Sequence, residues 1–261
     1  MTRWRSVLAA LSACVVLVSA AHAPVAAQGT LRVVAYNIRH GAGMDLEVDL
    51  PRIADALRAL DADVVALQEV DRGTERTGGV DQAAVLAELL GMRGFHGPHR
   101  EYQGGEYGNA ILTRLPVVGV VTHPIPPAAG SDLAVHEVRV AVGPRGATVS
   151  VVSVHLAGAP EERQAQADSL TAIFAEAEAP VVLAGDFNSR PGDRVLRTLA
   201  REWTILPKDG PPETFPADVP DREIDFVMLR PATVFEVLSH VVVPEAMAAD
   251  HRPLLAVLRI W

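Results

Sequence analysis

The sequence has almost no cysteine and almost no lysine, and each shortage excludes a class of protein. Cys14 is the only cysteine among 261 residues, and it lies in the N-terminal segment. The rest of the chain therefore offers no internal disulfide, no cysteine-ligated zinc and no catalytic thiol. Lys208 is the only lysine, and the formal net charge is −9. A cluster of basic residues that would follow a nucleic-acid backbone is absent from the sequence.

Several catalytic signatures are also missing. The sequence contains no Gly-x-Ser-x-Gly nucleophile elbow and no glycine-rich phosphate loop leading into a helix. The acidic balance argues against passive attraction to DNA or to anionic lipid. A nuclease is still compatible with that balance, because bound cations would neutralise much of an acidic site locally.

The N-terminus has the layout of a secretory signal peptide. Arg3 and Arg5 precede an uncharged apolar run over residues 6–20, and small residues follow up to Ala27. The run is short for a membrane span. We predict a signal peptide over residues 1–27, and hence an exported protein, periplasmic or secreted. Two alternatives stay open: an uncleaved anchor, and lipidation at Cys14, which follows Leu-Ser-Ala but lies inside the apolar run.

The remainder of the chain is predicted to be one domain over residues 28–261. Loss of residues 1–27 leaves 234 residues and moves the net charge from −9 to −11, because two arginines and no acids are removed. That length fits one large single-core domain. The composition does not change along it and no low-complexity linker divides it. We expect a monomer.

The hydrophobic pattern predicts an α/β fold in which helices cover two packed sheets. Valine-rich strands alternate with helices near residues 49–60, 81–90, 161–178 and 193–201, whereas residues 107–156 hold strands without helices between them. We predict that the stretch Pro124–Gly130 is a loop. Helices interrupting mainly antiparallel strands favour sheet-on-sheet packing with the helices outside.

One pattern repeats within the chain. A strand ending at Asn37, a helix and a strand ending at Glu69 form a first unit, with 32 residues between the two polar positions. A strand ending at His155, a helix and a strand reaching Asp186 form a second, with a separation of 31. Two similar units would deliver polar residues from their strand ends to a shared rim.

The polar residues at these strand ends are suited to a hard metal ion. Glu69, Asp186, Asn188 and Asp250 offer only oxygen ligands, a set that favours Mg²⁺, Mn²⁺ or Ca²⁺. Asp186 and Asn188 are two residues apart and would face the same side of an extended segment. Gly185 before them permits close backbone approach or an unusual dihedral angle.

Imidazoles accompany the carboxylates. His251 follows Asp250 directly, and Asp225 is a candidate to accept the second ring N–H of His251 and so fix its tautomer. His155 ends an apolar strand and is the second candidate imidazole. Five other histidines lie in turns or mid-strand without paired acids, and we predict that they are structural: His40, His96, His99, His123 and His136.

Seven short segments, taken in order, resemble the endonuclease/exonuclease/phosphatase superfamily. The segments are Tyr36-Asn37-Ile38, Leu67-Gln68-Glu69-Val70, Gly108-Asn109-Ala110-Ile111-Leu112, Ser153-Val154-His155-Leu156, Gly185-Asp186-Phe187-Asn188, Ile224-Asp225-Phe226 and Ala249-Asp250-His251-Arg252-Pro253. This group includes DNase I-like nucleases, apurinic endonucleases, sphingomyelinases and inositol-phosphate phosphatases. The matching segments span nearly all of residues 31–260.

The resemblance implies a DNase I-like fold and a metal centre. The expected architecture is a four-layered α/β/β/α sandwich, with the site at the top of two packed mixed sheets. By resemblance, Glu69 is the principal metal ligand. Asn37, Asp186, Asn188 and Asp250 are then metal, water or phosphate contacts, and the expected ion is Mg²⁺ or Mn²⁺, with Ca²⁺ as another option.

The resemblance also implies catalytic roles. Asp186 and Asn188 would position an attacking water, and His155 and His251, the latter oriented by Asp225, would bind and polarise the phosphate. Whether Asp186 or His251 takes the proton of the water stays open at this stage. A small or lipid-headgroup phosphoester is the favoured substrate, and the alternatives are a secreted nuclease and a non-catalytic binding module on the same scaffold.

Overall fold

The computed structural model describes residues 29–261. The signal peptide predicted over residues 1–27, and Cys14 within it, lie outside the described residues. Among the residues that are described, no helix is both long enough and apolar enough to cross a membrane.

The first of two six-stranded sheets has the order β11-β12-β1-β2-β4-β3. Its strands are β1 (Gly29–Asn37), β2 (Val64–Arg72), β3 (Arg93–Tyr102), β4 (Gly105–Thr113), β11 (Phe235–Val242) and β12 (Leu254–Ile260). Only β1 and β2 run parallel; the other neighbours are antiparallel.

The second sheet has the order β5-β6-β7-β8-β10-β9. Its strands are β5 (Val117–Ala128), β6 (Ser131–Val142), β7 (Ala147–His155), β8 (Val181–Asp186), β9 (Thr204–Ile205) and β10 (Asp225–Arg230). Here β7 and β8 form the single parallel pair.

Helices cover the outer faces of both sheets. The helices are α1 (Leu50–Arg58), α2 (Gln82–Leu90), α3 (Pro160–Ile173) and α4 (Arg194–Leu199). One apolar cluster lies between the sheets, a second joins α1 and α2 to the first sheet, and a third joins α3 and α4 to the second sheet. The predicted four-layered α/β/β/α sandwich is therefore confirmed.

Local sequence explains where the helices on the first sheet begin and end. The Asp49 carboxylate accepts the backbone N–H of Arg52 at 2.9 Å, and the Asp81 carboxylate accepts that of Ala84 at 3.0 Å, so each caps a helix N-terminus. Gly91 ends α2 in a left-handed conformation (φ 65°) that glycine adopts without strain.

Two edge strands differ from the prediction. The stretch Pro124–Gly130 was predicted to be a loop, but β5 continues to Ala128, because at the edge of a sheet a proline without an N–H breaks no ladder. Strand β3 was not predicted, since Gly94, Gly97 and Pro98 hide its pattern. A side chain at Gly97 would collide with the His136 ring, so this glycine lets the two sheets approach closely.

Helix α3 is shorter than predicted. It ends at Ile173 instead of continuing to residue 178. Phe174 leaves the helical conformation and is 3% exposed, with its ring against those of His123 and Trp203. The helix therefore ends five residues earlier than predicted, where the ring of Phe174 enters the core.

The predicted repeat corresponds to two equivalent units, one at the centre of each sheet. The β1-α1-β2 unit and the β7-α3-β8 unit each consist of two parallel strands joined by a helix. Parallel strands end at the same edge of a sheet, and the two units place their four strand ends at the same side of the sandwich. That side carries the candidate active site.

Candidate active site

Three polar residues form a row at the end of the second sheet. His155, Asp186 and Asp225 lie opposite one another on β7, β8 and β10. Two residues from them on the same strands, Ala184 and Val227 face the core between the sheets. Because side chains alternate along a strand, Asp186 and Asp225 continue this inner face where the apolar core ends.

The first sheet supplies Asn37 and Glu69, and a β-bulge directs the glutamate. The register between β2 and β4 shifts between Leu67 and Val70, and Glu69 has a positive φ of 57°. Asn37 Nδ2 donates to Glu69 Oε1 at 3.0 Å and to Asp186 Oδ2 at 3.2 Å. The asparagine amide thus links the acidic residues of the two sheets.

The floor of the site requires a glycine. Gly185 has a φ of 151°, and a Cβ atom there would overlap the carbonyl oxygen of Val154 and lie 3.0 Å from Gln68 Nε2. Gln68 Nε2 in turn donates to Ser153 Oγ at 2.8 Å across the gap between the sheets. The close approach predicted for Gly185 is therefore present.

Asp186 is the centre of the site. The Nε2 atoms of His155 and His251 each lie 3.7 Å from its Oδ2 atom. The backbone N–H of Asn188 donates to Oδ1 at 2.8 Å, and Asn188 Nδ2 donates to the Leu156 carbonyl at 2.8 Å. Strand β8 ends at Asp186 and Asn188 has a φ of 46°, so a left-handed turn, and not strand alternation as predicted, brings the two side chains together.

His251 is held by groups on two sides. Its Nδ1–H donates to Asp225 Oδ2 at 2.9 Å, and Asp225 also accepts the hydroxyl of Thr214. The Phe215 ring lies 4.8 Å from the imidazole, centroid to centroid. Sequence reasoning missed Thr214 and Phe215, which lie in a proline-rich loop without strand or helix periodicity.

The burial of these groups shifts their proton affinities. Burial raises the pKa of Asp186 to about 6, although His251 opposes that shift. Burial alone would lower the pKa of His251, but the carboxylates of Asp225 and Asp186 raise it to about 10. Burial would also raise the pKa of Glu69, yet His155 and the Asn37 hydrogen bond leave it below its usual range.

Asp250, which directly precedes His251, is the last of the predicted site residues. Arg39 Nε lies 3.5 Å from its Oδ2 atom. Burial raises the pKa of Asp250, and the neighbouring Glu69 carboxylate acts in the same direction. All eight residues singled out from the sequence are thus brought to one end of the sandwich.

The chemistry of the donors fits a divalent cation. Asp186, Asp225 and His251 offer ligand atoms within 4.8 Å of one another. Asp225, however, is engaged by His251 and Thr214. Among residues 29–261, the carboxylates of Glu69 and Asp186 face the site without a bound arginine or lysine, although two imidazoles lie 3.7 Å from Asp186 Oδ2. Oxygen ligands of this kind suit Mg²⁺ or Mn²⁺.

Comparison with known proteins identifies the family. The profile of the Endonuclease/Exonuclease/phosphatase family matches residues 34–251. The chain is 26% identical over 247 residues to the uncharacterized protein YbhP of Escherichia coli. The alignment covers 89% of this chain and 98% of YbhP.

Solved structures agree with this assignment. An endonuclease/exonuclease/phosphatase from Beutenbergia cavernae has 27% sequence identity and a TM-score of 0.71, covering 89% of this chain and 72% of that one. One from Bacteroides vulgatus, at 21% identity and a TM-score of 0.74 over 89% and 99% of the two chains, shares the fold. The chain therefore belongs to the endonuclease/exonuclease/phosphatase family, whose members are hydrolases that act on phosphoesters.

Proposed function

We propose that this protein is an exported, divalent-metal-dependent phosphoesterase that hydrolyses phosphodiester or phosphomonoester bonds by in-line attack of water. One observation carries the proposal. Asp186 has a buried carboxylate, and the Nε2 atoms of His155 and His251 each lie 3.7 Å from its Oδ2 atom. The same oxygen accepts a hydrogen bond from the Asn37 amide, which also donates to Glu69. Acid, imidazole and amide groups therefore converge at the end of the two sheets.

Glu69 would be the principal metal ligand, with Asn37, Asp186, Asn188 and Asp250 completing the sphere directly or through water. The partly exposed Glu69 carboxylate receives only one side-chain hydrogen bond, that of Asn37, within residues 29–261, so it retains lone pairs for a cation. A bound Mg²⁺ or Mn²⁺ would neutralise charge on the phosphate and on the departing oxygen.

The chain's own residues would perform the remaining tasks. Asp186 and Asn188 position the attacking water, with the Asp186 carboxylate held by the Asn188 backbone N–H. His251 presents Nε2 to the phosphate because its Nδ1 is occupied by Asp225. His155 Nε2 lies near the same oxygen of Asp186, and it would be the second imidazole to contact the phosphate. We assign the proton of the water to Asp186, whose charge both imidazoles stabilise.

A small or lipid-headgroup phosphoester is the favoured substrate. The net charge is −9, and the side chain of Lys208 is 0% exposed and paired with Glu223 at 2.5 Å. The single lysine therefore cannot reach a nucleic-acid backbone. A secreted nuclease is the alternative. Two partly buried arginines at the rim of the first sheet, Arg76 and Arg100, favour it because arginine binds the phosphates of a nucleic-acid backbone.

Export rests on the predicted signal peptide. Processing after Ala27 would leave Gln28 as the first residue of a monomeric domain over residues 28–261. N-terminal sequencing of the protein recovered from the periplasm or medium tests this, and an intact Met1 on cytoplasmic protein would refute export.

The test of function compares purified protein with two variants. Glu69→Gln should abolish turnover of bis-p-nitrophenyl phosphate, plasmid DNA or sphingomyelin, whichever is hydrolysed, while Glu88→Gln, on the exposed face of α2, should leave it unchanged. Each reaction is run with Mg²⁺, Mn²⁺, Ca²⁺ or EDTA. Turnover that survives both EDTA and Glu69→Gln would refute the metal-site assignment, and silence on every substrate would favour a non-catalytic binding module.

A further inference from the structure

A bulge on edge strand β3 brings two basic side chains to the inner face beside the candidate active site. The register pairs Pro98 with Gly108 and Arg100 with Tyr107, so His99 is the extra residue. The rings of His99 and Tyr107 are 6.0 Å apart, and the Arg100 guanidinium carbon lies 4.9 Å from the Tyr107 ring centroid. Both side chains therefore pack on the same tyrosine.

Tyr107 faces the same gap between the sheets as the active-site residues. It lies two residues before Asn109, whose Nδ2 donates to the Ser153 carbonyl of the opposite sheet at 3.0 Å, and positions i and i+2 share a face. Burial is the main cause that raises the pKa of the Tyr107 phenol, and the Glu69 carboxylate is close enough to add to it. The tyrosine thus lies on the inner face within electrostatic range of the expected metal ligand.

His99 lacks a partner although it is buried. It is 8% exposed, and neither ring nitrogen has a hydrogen-bond partner within residues 29–261. Burial, reinforced by His155 across the gap, lowers its pKa to about 3, so the ring is neutral and offers one N–H. A buried polar ring without a partner is costly, so the His99 N–H is available to a polar group from outside the chain.

Arg100 has no acidic partner in the part of the chain that the structure describes. Among residues 29–261 it forms no salt bridge, whereas Arg76 beside it donates to Asp71 through Nε at 2.7 Å and Nη2 at 2.8 Å. The guanidinium carbons of both arginines lie within 4.7 to 5.6 Å of the Tyr102 and Tyr107 ring centroids. The stack fixes Arg100 in place and leaves its donors free.

We propose that His99, Arg100 and Tyr107 form a second anion-binding subsite, which holds a phosphate group of the substrate other than the one that is hydrolysed. A guanidinium with free N–H groups binds phosphate in a bidentate manner, and the neutral imidazole and the phenol add one donor each. The inference rests on the proposed function and narrows it to phosphoesters that carry a second phosphate group.

Binding is tested first, without turnover. Inorganic phosphate is titrated into the ¹⁵N-labelled protein in EDTA, and the amide signals of residues 99–107 are followed by NMR. We expect saturable shifts there in the wild type and in Arg145→Gln, an exposed arginine of the β6–β7 turn, and at least a tenfold weaker response in Arg100→Gln. Shifts that are absent in the wild type, or unchanged in Arg100→Gln, would overturn the subsite.

The second experiment separates a substrate phosphate from a free one. Hydrolysis of bis-p-nitrophenyl phosphate is inhibited with fructose 6-phosphate or fructose 1,6-bisphosphate, which differ by one phosphate group. We expect the bisphosphate to inhibit about tenfold more tightly in the wild type, and the ratio to fall to about two in Arg100→Gln but not in Arg145→Gln. Equal inhibition constants in the wild type would show that the subsite takes only a free ion, contradicting the proposal.

The controls keep this inference apart from the proposed function. Thermal unfolding checks that Arg100→Gln is folded, and Arg100→Lys, which keeps the charge but not the fork of donors, should give an intermediate ratio. If the wild type hydrolyses none of the tested substrates, the proposed function fails while the NMR titration still decides whether the subsite exists. If hydrolysis is normal and the titration is silent, the subsite alone is wrong.

Discussion

Replacement of Gly185 by alanine tests whether the close contact of β8 with the neighbouring strand β7 is necessary for the site. A Cβ atom at Gly185 would overlap the Val154 carbonyl oxygen, and contacts below 3.0 Å are not tolerated. Strand β8 would have to move by roughly 1 Å from β7, and Asp186, the next residue, would move with it. Overpacking of this kind costs about 3 kcal/mol, or roughly 6 to 12 °C in Tm for a domain of this size.

The same displacement should reduce turnover by about a hundredfold, because a misplacement near 1 Å is sufficient for that loss. Gly210→Ala is the matched control: Gly210 also has a positive φ, of 103°, but nothing lies within 4 Å of its Cβ position. Thermal unfolding and steady-state kinetics of both variants are the assays. If Gly185→Ala is no less stable and no less active than Gly210→Ala, the close contact does not position Asp186.

Two further changes test the surroundings of the site and the core. Thr214→Val removes a donor from the buried Asp225, which should cost about 1 to 3 kcal/mol and lower turnover roughly tenfold as His251 loses its orientation; unchanged kcat would contradict this. Burial lowers the pKa of His240 to about 4, below its usual value near 6.5. The stability that neutral His240 contributes is therefore present above pH 6.5 and is lost as the pH falls towards 4, by at most about 3 kcal/mol. His240→Gln should reduce the dependence on pH of the free energy of unfolding, measured with a chemical denaturant, between pH 6.5 and pH 4. An equal pH dependence in the wild type and the variant would refute the assignment.

The sequence patterns were sufficient to predict the layers of the fold and the convergence of the site. Valine-rich strands end in Asn37, His155 and Asp186, and helices separate them from the neighbouring strands. If strands joined by a helix pair in parallel, they end at the same edge of the sheet, so their polar end residues lie close together. The similar separations in the two units, 32 and 31 residues, supported that assumption. The pairing of His251 with Asp225 followed from chemistry, since an imidazole at such a site needs an acceptor on its second nitrogen.

The two β-bulges could not be predicted, because a bulge depends on the partner strand. Gln68 faces the gap between the sheets, so without the bulge the next residue, Glu69, would face the helices on the other side. No local residue signals the positive φ of Glu69. The bulge at His99 lies on an edge strand whose glycines and proline hide its alternation. The sequence therefore predicted only a structural role for His99, and it gave no sign that a bulge turns the adjacent side chains of His99 and Arg100 to the same face.

The position of Asn37 between Glu69 and Asp186 has a mechanical consequence. One acid belongs to each sheet, so any ligand that engages both acts as a clamp across the sandwich. Such a ligand stabilises the packing of the two sheets against each other by its free energy of binding. This amounts to about 2.7 kcal/mol at a ligand concentration one hundred times its Kd. Opening of the sandwich, which exposes the amides of β1 and β8 to hydrogen exchange, should therefore slow in proportion to occupancy, while fraying of the outer helices stays as fast as before.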